Sequence, residues 1–302
     1  MSNSTLNLTA NPAAETHSPQ IRLIAIDLDG TTVGESNQMT PAVQQAIQAA
    51  QEKGVQVAIA TGRMFQSALR FYQTIAPKEE RLRNALTLPL LTYQGALIKD
   101  PTTEKIYRHL TVSREAALQL LDYFEQPELH DLLSIHFYIN DLLYVREITP
   151  ETELYAQRSQ IQPFAVGDLR RMLVDHEPTK ILALCHDPAV IDRLLSSLRQ
   201  QYTPAELYFT KSVATFFEAT HPLVNKGTAV RYLAEEMLEL RPENVMAIGD
   251  NFNDLEMIQY AGIGVAMGTA PDAVKTAAHW VAPDVESDGA AVAIERFVLQ
   301  AK

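Results

Sequence analysis

Ile21-Arg22-Leu23-Ile24-Ala25-Ile26-Asp27-Leu28-Asp29-Gly30-Thr31-Thr32 is an apolar run that ends in two carboxylates one residue apart, followed by a glycine and two hydroxyls. The run predicts a buried strand. Acids at the end of such a strand cost several kcal/mol unless something compensates them. A metal ion, a phosphate and backbone N–H groups are partners that would do so. The stretch therefore predicts a charged reaction centre at the tip of a central strand.

Working outward, Thr40-Pro41 supplies an N-cap and a proline at the first helical position. Val43, Ala46, Ile47 and Ala50 recur at helical spacing, and Gly54 marks the stop. Residues 55–60 predict a second buried strand running into Thr61-Gly62-Arg63, which completes a βαβ unit with parallel strands. Residues 88–93 predict another strand, ending at Gln94-Gly95-Ala96. The middle of the chain has a different rhythm. A helix is expected over 113–125, with Ala116, Leu120, Tyr123 and Phe124 on one side, and a hairpin over 134–139 and 142–145 across Asn140-Asp141. A strand at 180–185, a helix at 190–201 and a second hairpin over 207–210 and 215–219 complete an α+β pattern. Alternation then returns: a helix at 226–238, a short buried strand at 245–248 running into Gly249-Asp250, a helix at 253–260, and strands at 262–267 and 279–282. The expected fold is α/β: a doubly wound, Rossmann-like parallel-sheet core in two pieces, 20–111 and 221–302, interrupted by an inserted α+β cap at 112–220. Residues 1–19, rich in Ser, Asn, Thr, Ala and Pro, read as a disordered tail.

Composition narrows the partners. The 302 residues carry a net charge of −12, which argues against non-specific nucleic-acid binding and against anionic membranes. No apolar run approaches the roughly 20 residues needed to span a bilayer. The start of the chain lacks the basic and apolar regions of a secretory signal. One cysteine, Cys185, excludes an intramolecular disulfide and a cysteine zinc site, and fits a cytoplasmic protein. A monomer or weak homodimer is expected.

Four segments lie at strand ends or helix starts: Asp27/Asp29, Thr61/Gly62, Lys226 and Asp250/Asn253/Asp254. The carboxyl ends of parallel strands form the ligand crevice of open α/β sheets, so these segments are expected to converge. Asp27, directly after the strand, is placed to act as a nucleophile. Asp29, two residues on, suits a general acid and base. Asp250 adds a hard oxygen ligand, and such a set suits Mg²⁺. The Thr61 hydroxyl and the N–H groups after it suit a phosphate oxygen. Lys226 balances Asp27 and a transferring phosphoryl group. Singly, each has a plainer reading: Asp-Leu-Asp-Gly-Thr as a turn, Asp250 or Asn253 as a helix cap, Lys226 as a solvated lysine. Four in order weigh against those readings. The histidines show no metal-ligand spacing, and Cys185 reads as inert core.

Asp27-Leu28-Asp29-Gly30-Thr31, Thr61-Gly62-Arg63, Lys226-Gly227 and Gly249-Asp250-Asn251-Phe252-Asn253-Asp254 resemble, in order, the four motifs of the haloacid dehalogenase superfamily. The insertion between the second and third motifs resembles a C2 cap. Together with Asn225-Lys226-Gly227 and the Gly-Asp-x-x-Asn-Asp motif, it is similar to the Cof-type phosphatase branch. The resemblance runs from about residue 21 to the C-terminus. It implies Asp27 as the nucleophile of a phosphoaspartyl intermediate and Asp29 as general acid and base. It implies Mg²⁺ on the Asp27 side chain, the Asp29 backbone carbonyl and Asp250, with Asn253 and Asp254 supporting the metal's waters and Lys226. Thr61, Gly62 and Lys226 would hold the phosphate, with Gln94 and Asn253 beside it. Gln94 stands where the family usually has Asn, and Arg63 reads either as a substrate-side residue or as half of a salt bridge. Superfamily members with dehalogenase, phosphonatase or ion-pump chemistry lack a carboxylate at the Asp29 position. The expected activity is Mg²⁺-dependent hydrolysis of a small phosphorylated metabolite by a phosphoric monoester hydrolase. A phosphosugar mutase and a non-catalytic phosphometabolite-binding protein are the alternatives.

Overall fold

The computed structural model describes residues 20–80, 82–83, 87–211 and 213–300. The expectation of a disordered tail at 1–19 lies outside the described residues. Strand β1 (Leu23–Ile26) is an interior strand of a five-stranded parallel sheet, with β2 (Gln56–Ile59) at the edge on one side. On the other side lie β12 (Val245–Gly249), β13 (Ile263–Ala266) and β14 (Trp280–Val281). All four β1 residues are fully buried, as a strand covered on both faces requires. Ile24 and Ile26 pack with Met246 and Ile248 on one face, and Leu23 and Ala25 with Val245 and Ala247 on the other. This is the expected doubly wound core.

The first crossover follows its sequence signals. Helix α1 (Pro41–Glu52) is capped by Thr40, whose hydroxyl accepts the Val43 N–H, and it buries Val43, Ala46, Ile47 and Ala50. Gly54 takes φ +83° to turn the chain into β2. Helix α2 (Phe65–Ile75) follows β2. The strand expected at 88–93 is β3 (Leu90–Thr92). It heads an antiparallel sheet with β4 (Leu97–Lys99) and β5 (Ile106–His109), two strands whose short polar-flanked pattern gave no warning. A single parallel bridge, Ala60 to Leu91, ties this sheet to the end of β2.

The cap is a six-stranded sheet in the order β10-β11-β9-β6-β7-β8. Its strands are β6 (Ser134–Ile139), β7 (Leu142–Val145), β8 (Pro163–Ala165), β9 (Lys180–Leu184), β10 (Tyr208–Thr210) and β11 (Phe216–Thr220). Both expected hairpins are present, with Asn140 and Asp141 in the left-handed region at the β6–β7 turn. Strand alternation divides the sheet. Phe137, Ile139, Ile181, Ala183 and Phe217 pack on helices α3 (Arg114–Phe124) and α5 (Pro188–Gln201). The buried side of α3 carries Ala117 and Leu121 with Leu120 and Phe124, so its face is rotated from the expected one and leaves Ala116 and Tyr123 only partly buried. Tyr138, Leu182 and Leu184 point the other way and join the apolar cluster of the parallel-sheet core. Helix α4 (Pro150–Ser159), absent from the sequence reading, lies on that side.

Two later helices depart from regularity. The helix starting at Lys226 is α-helical only through Arg231 (α6) and continues as a wider π-type turn over Tyr232–Met237. The segment expected as one helix at 253–260 begins as a 3₁₀ turn, Phe252–Asp254, before α7 (Leu255–Tyr260). Among the described residues, no helix is long and apolar enough to cross a membrane.

Candidate active site

The site forms where β1, β2 and β12 end side by side. The register pairs Ile26 with both Ile59 and Ile248, so the chain leaves all three strands at one level. Asp27 follows at once, its N–H donating to the Ile248 carbonyl at 3.0 Å. Asp250 leaves β12 beside it, and Thr61-Gly62 leaves β2 on the other flank.

Lys226 enters from the first residue of α6. The Asn225 side chain caps that helix by accepting the Thr228 N–H at 2.7 Å. Gly227 allows the approach: a Cβ there would lie 2.6 to 2.8 Å from the Glu256 Cβ and backbone. Lys226, 1% exposed, donates to Asp27 Oδ1 and Asp254 Oδ1, each at 2.6 Å. The second oxygen of Asp254 accepts the N–H groups of Asp250 and Asn251, at 2.9 and 3.1 Å. Both Asp254 oxygens are thus committed to holding Lys226 and shaping the Asp250 loop. The cap of the following turn is Asn251, which accepts the Phe252 N–H; neither Asp250 nor Asn253 serves in that way.

One oxygen each of Asp27, Asp250 and Asp254 lie within 4.8 Å of one another. Three carboxylates against one lysine leave this pocket with excess negative charge. Burial pushes Asp27 well above the usual carboxylate range, Lys226 opposing and the neighbouring acids adding to the rise. Burial and then the Asp254 charge push Asp250 up to about 7, against Lys226 and the Thr31 hydroxyl that donates to it at 3.2 Å. A hard divalent cation on the Asp27 and Asp250 oxygens would offset the excess, so these residues fit Mg²⁺.

Asp29 is held differently. Arg63 grips it with a fork, Nε to Oδ2 at 2.7 Å and Nη2 to Oδ1 at 2.6 Å, while Nη2 also donates to Asn37. Arg158 of α4 adds a second guanidinium at 3.7 Å from the cap side. Burial acts to raise the Asp29 carboxyl, but the Arg63 bonds and the charges of Arg63, Arg158 and Lys226 outweigh it and hold it below its ordinary range. Of the two readings open for Arg63, the geometry therefore shows the salt bridge. Arg158 was missed, since a lone arginine on an unrecognised helix carries no sequence signal.

The Gln94 position departs from the usual asparagine, and its geometry is distinctive. The residue takes φ 61°, ψ 21°, is 1% exposed, and its Oε1 accepts the Asn253 amide at 3.1 Å. Its Nε2 is buried without a partner. A Cβ on Gly62 would sit 2.5 Å from that nitrogen. The longer amide therefore occupies space that Gly62 leaves, and it presents a free donor beside the Thr61-Gly62 loop. The Thr61 hydroxyl accepts the Arg63 N–H at 3.1 Å. Asp27, Asp29, Gly62, Gln94, Asp250 and Asn253 line a cavity of about 570 Å³ whose opposite wall is the cap, whereas Thr61, Lys226 and Asp254 stand behind its surface.

Residues 24–294 match the haloacid dehalogenase-like hydrolase family. The chain is 31% identical over 288 residues to the putative phosphatase YxeH of Bacillus subtilis (strain 168), covering 92% of this chain and 98% of that protein. It is 30% identical to the 5-amino-6-(5-phospho-D-ribitylamino)uracil phosphatase YcsE of the same organism, covering 92% and 96%. A haloacid dehalogenase-like hydrolase from Bacteroides thetaiotaomicron has the same fold, with a TM-score of 0.79, 25% identity, and coverage of 92% and 99%.

Proposed function

The chain belongs to the haloacid dehalogenase-like hydrolases, in their Cof-type branch, and on that premise we propose that it is a Mg²⁺-dependent phosphoric monoester hydrolase working through an aspartyl phosphate. The observation that carries this reading is the buried Lys226 fixed between Asp27 and Asp254, behind the cavity wall that Asp27 lines. A lysine so placed orients one oxygen of Asp27 and offsets charge as a phosphoryl group arrives.

Asp27 attacks phosphorus with a carboxylate oxygen, and the bond to the leaving alkoxide breaks. Asp29 gives that alkoxide a proton. Water then attacks the phosphorus of the aspartyl phosphate, Asp29 takes the water's proton, and phosphate departs with Asp27 restored. The carboxylate form of Asp29, which the Arg63 fork favours, is the form that the water step uses. The alkoxide step begins from the protonated acid, which requires Asp29 to loosen from that fork. The Gly62 N–H, the Thr61 hydroxyl, the Lys226 ammonium and the Gln94 Nε2 bind phosphoryl oxygens, with Asn253 holding the Gln94 amide. Mg²⁺ on the Asp27 side chain, the Asp29 carbonyl and Asp250 supplies positive charge for the phosphoryl group and the carboxylate that meets it. Asp254 serves by positioning Lys226.

The cap, at 112–220, closes the site against water, and the substrate is a small phosphorylated metabolite of the cytoplasm. Phosphate release from a panel of monoesters with Mg²⁺ tests the reading. Release is expected from the wild type, to stop with EDTA, to return with added Mg²⁺, and to be abolished in Asp27→Asn. Undiminished release by that variant would contradict the assignment.

A further inference from the structure

The loop Thr61-Gly62-Arg63 is held mostly by the core. The Thr61 N–H donates to the Leu91 carbonyl and the Thr61 carbonyl accepts the Gln94 N–H, each at 2.9 Å. The Arg63 N–H donates to the Thr61 hydroxyl at 3.1 Å, and the Arg63 carbonyl accepts the Tyr93 N–H at 2.9 Å. The Gly62 carbonyl differs. It accepts from the cap, where the Lys180 ammonium of β9 donates to it at 3.2 Å. The peptide plane between Gly62 and Arg63 is therefore held at its N–H by the core and at its carbonyl by the cap. On one side of that plane stands the Gly62 N–H, the donor assigned to a phosphoryl oxygen. On the other stands Arg63, which grips Asp29. Glycine restrains its own backbone least, so an outside hold has more effect here than at a bulkier residue.

Lys180 is itself firmly placed. It is 3% exposed, and its ion-pair partner Glu218, on the neighbouring strand β11, is 2% exposed at 3.5 Å. Its ammonium lies 5.0 Å from the centre of the Tyr138 ring, and Tyr138 packs edge-on against Tyr93, the residue bonded to Arg63. A buried ion pair adds little to stability compared with apolar residues of the same size, so a pair set into the seam between cap and core points to a task at that seam. A second cap residue grips the far end of the same segment: Asp141 accepts the Phe65 and Gln66 N–H groups and the Tyr93 hydroxyl. We propose that Lys180 is a positioning residue for the phosphate site. Seated on the Gly62 carbonyl, it fixes the loop whose donors meet the phosphoryl oxygens, so the site is complete only with the cap in place. This rests on the phosphatase reading for what the loop binds, and it gives the cap a role besides excluding water. The loop meets the phosphate and not the alcohol, so losing Lys180 affects every ester alike.

Binding separates this claim from turnover. Wild type, Lys180→Met and Lys180→Met/Glu218→Gln are titrated calorimetrically with inorganic phosphate in the presence of Mg²⁺. The double variant removes both charges of the pair, so it leaves no orphaned Glu218 and keeps the net charge of the cavity. Both variants should show a Kd for phosphate raised about tenfold, the size of one hydrogen bond to a charged group. Wild-type affinity in the double variant would mean that Lys180 only offsets Glu218, and it overturns the proposal. A lowered urea midpoint with an unchanged Kd assigns Lys180 to cap stability and overturns it equally; turnover by the same proteins would leave the phosphatase reading standing. A second arm compares wild type and double variant on every monoester that the wild type cleaves, p-nitrophenyl phosphate, glucose 6-phosphate and glycerol 3-phosphate among those tried. kcat/KM should fall by one common factor of about ten. A loss confined to one alcohol places Lys180 on the leaving group and counts against the positioning role. Lys180-dependent phosphate binding by a wild type that cleaves no monoester sustains the positioning role and removes the phosphatase reading.

Discussion

At the scale of residues, the site is an arrangement of acids made tolerable by a buried lysine and an arginine fork, with remaining negative charge that would suit a cation. Gln94 shows how one longer side chain is accommodated. Because its Nε2 lies where a Gly62 Cβ would be, Gly62→Ala displaces the amide and a donor aimed at the phosphate end. A hydrogen bond to a charged group contributes about 1.5–3 kcal/mol. Gly62→Ala should therefore lower kcat/KM by roughly tenfold to a hundredfold, and Gln94→Ala by a similar factor. In the double variant the two losses should not add, since both remove the same contact. Additive losses in steady-state kinetics would show that Gly62 and Gln94 act separately. The roles proposed for Asp27, Thr61, Lys226 and Asp250 were legible in the sequence because each sits at a strand end or helix start with a marked neighbour. Arg158 and the Gln94–Asn253 bond were not legible, since they depend on where the cap and a left-handed turn place side chains distant in sequence.

At the scale of elements, α2 has an unusual beginning. Met64 at its N-cap offers no side-chain acceptor. The Phe65 and Gln66 N–H groups are met instead by Asp141, from the β6–β7 turn of the cap, at 2.9 Å each, and the Tyr93 hydroxyl donates to the same carboxylate at 2.7 Å. The cap turn thus supplies the N-cap that the core helix lacks. Asp141→Ala should cost about 1–2 kcal/mol in urea unfolding, with Asp141→Asn recovering part of it; no change in the midpoint would show that water replaces the carboxylate without loss. On β6, burial and then the Lys180 charge bring His136 down to about 3, beside the Thr152 hydroxyl and the rings of Tyr138 and Tyr155. The folded state thus keeps it neutral where the unfolded chain protonates it. Stability from this group is complete above the unfolded value near 6.5 and is lost as pH falls from there toward about 3, by at most about 1.4 kcal/mol per pH unit. His136→Gln should flatten the fall in unfolding midpoint between pH 7 and pH 5; parallel slopes for the two proteins would assign the acid sensitivity elsewhere. The hairpin that carries Asp141 and His136 was readable from its alternation and its Asn-Asp turn. Helix α4 was not, although Thr149-Pro150 is an N-cap and N1 pair, because its face is too weakly apolar to announce what it covers.

At the scale of the molecule, the net charge of −12 makes the positive groups of the crevice local exceptions. Lys226, Arg63 and Lys180 are all drawn inward, and each is matched to a carboxylate: Lys226 to Asp27 and Asp254, Arg63 to Asp29, and Lys180 to Glu218. The parallel core and its cap share one apolar cluster, so cap residues such as Tyr138 and Leu182 are packed with the same core that holds Asp27. The alternation of βα units and the change of rhythm in the middle made both layers legible. The three-stranded sheet at 90–109 was hidden because its strands are short and half polar. The central claim is that phosphate passes through Asp27 in two displacements. The direct measurement is the stereochemical course of hydrolysis, using a phosphorothioate monoester made chiral at phosphorus with two oxygen isotopes and hydrolysed in water of the third. Two in-line displacements predict retention of configuration in the released thiophosphate; inversion would mean that water attacks the substrate directly and would contradict the account.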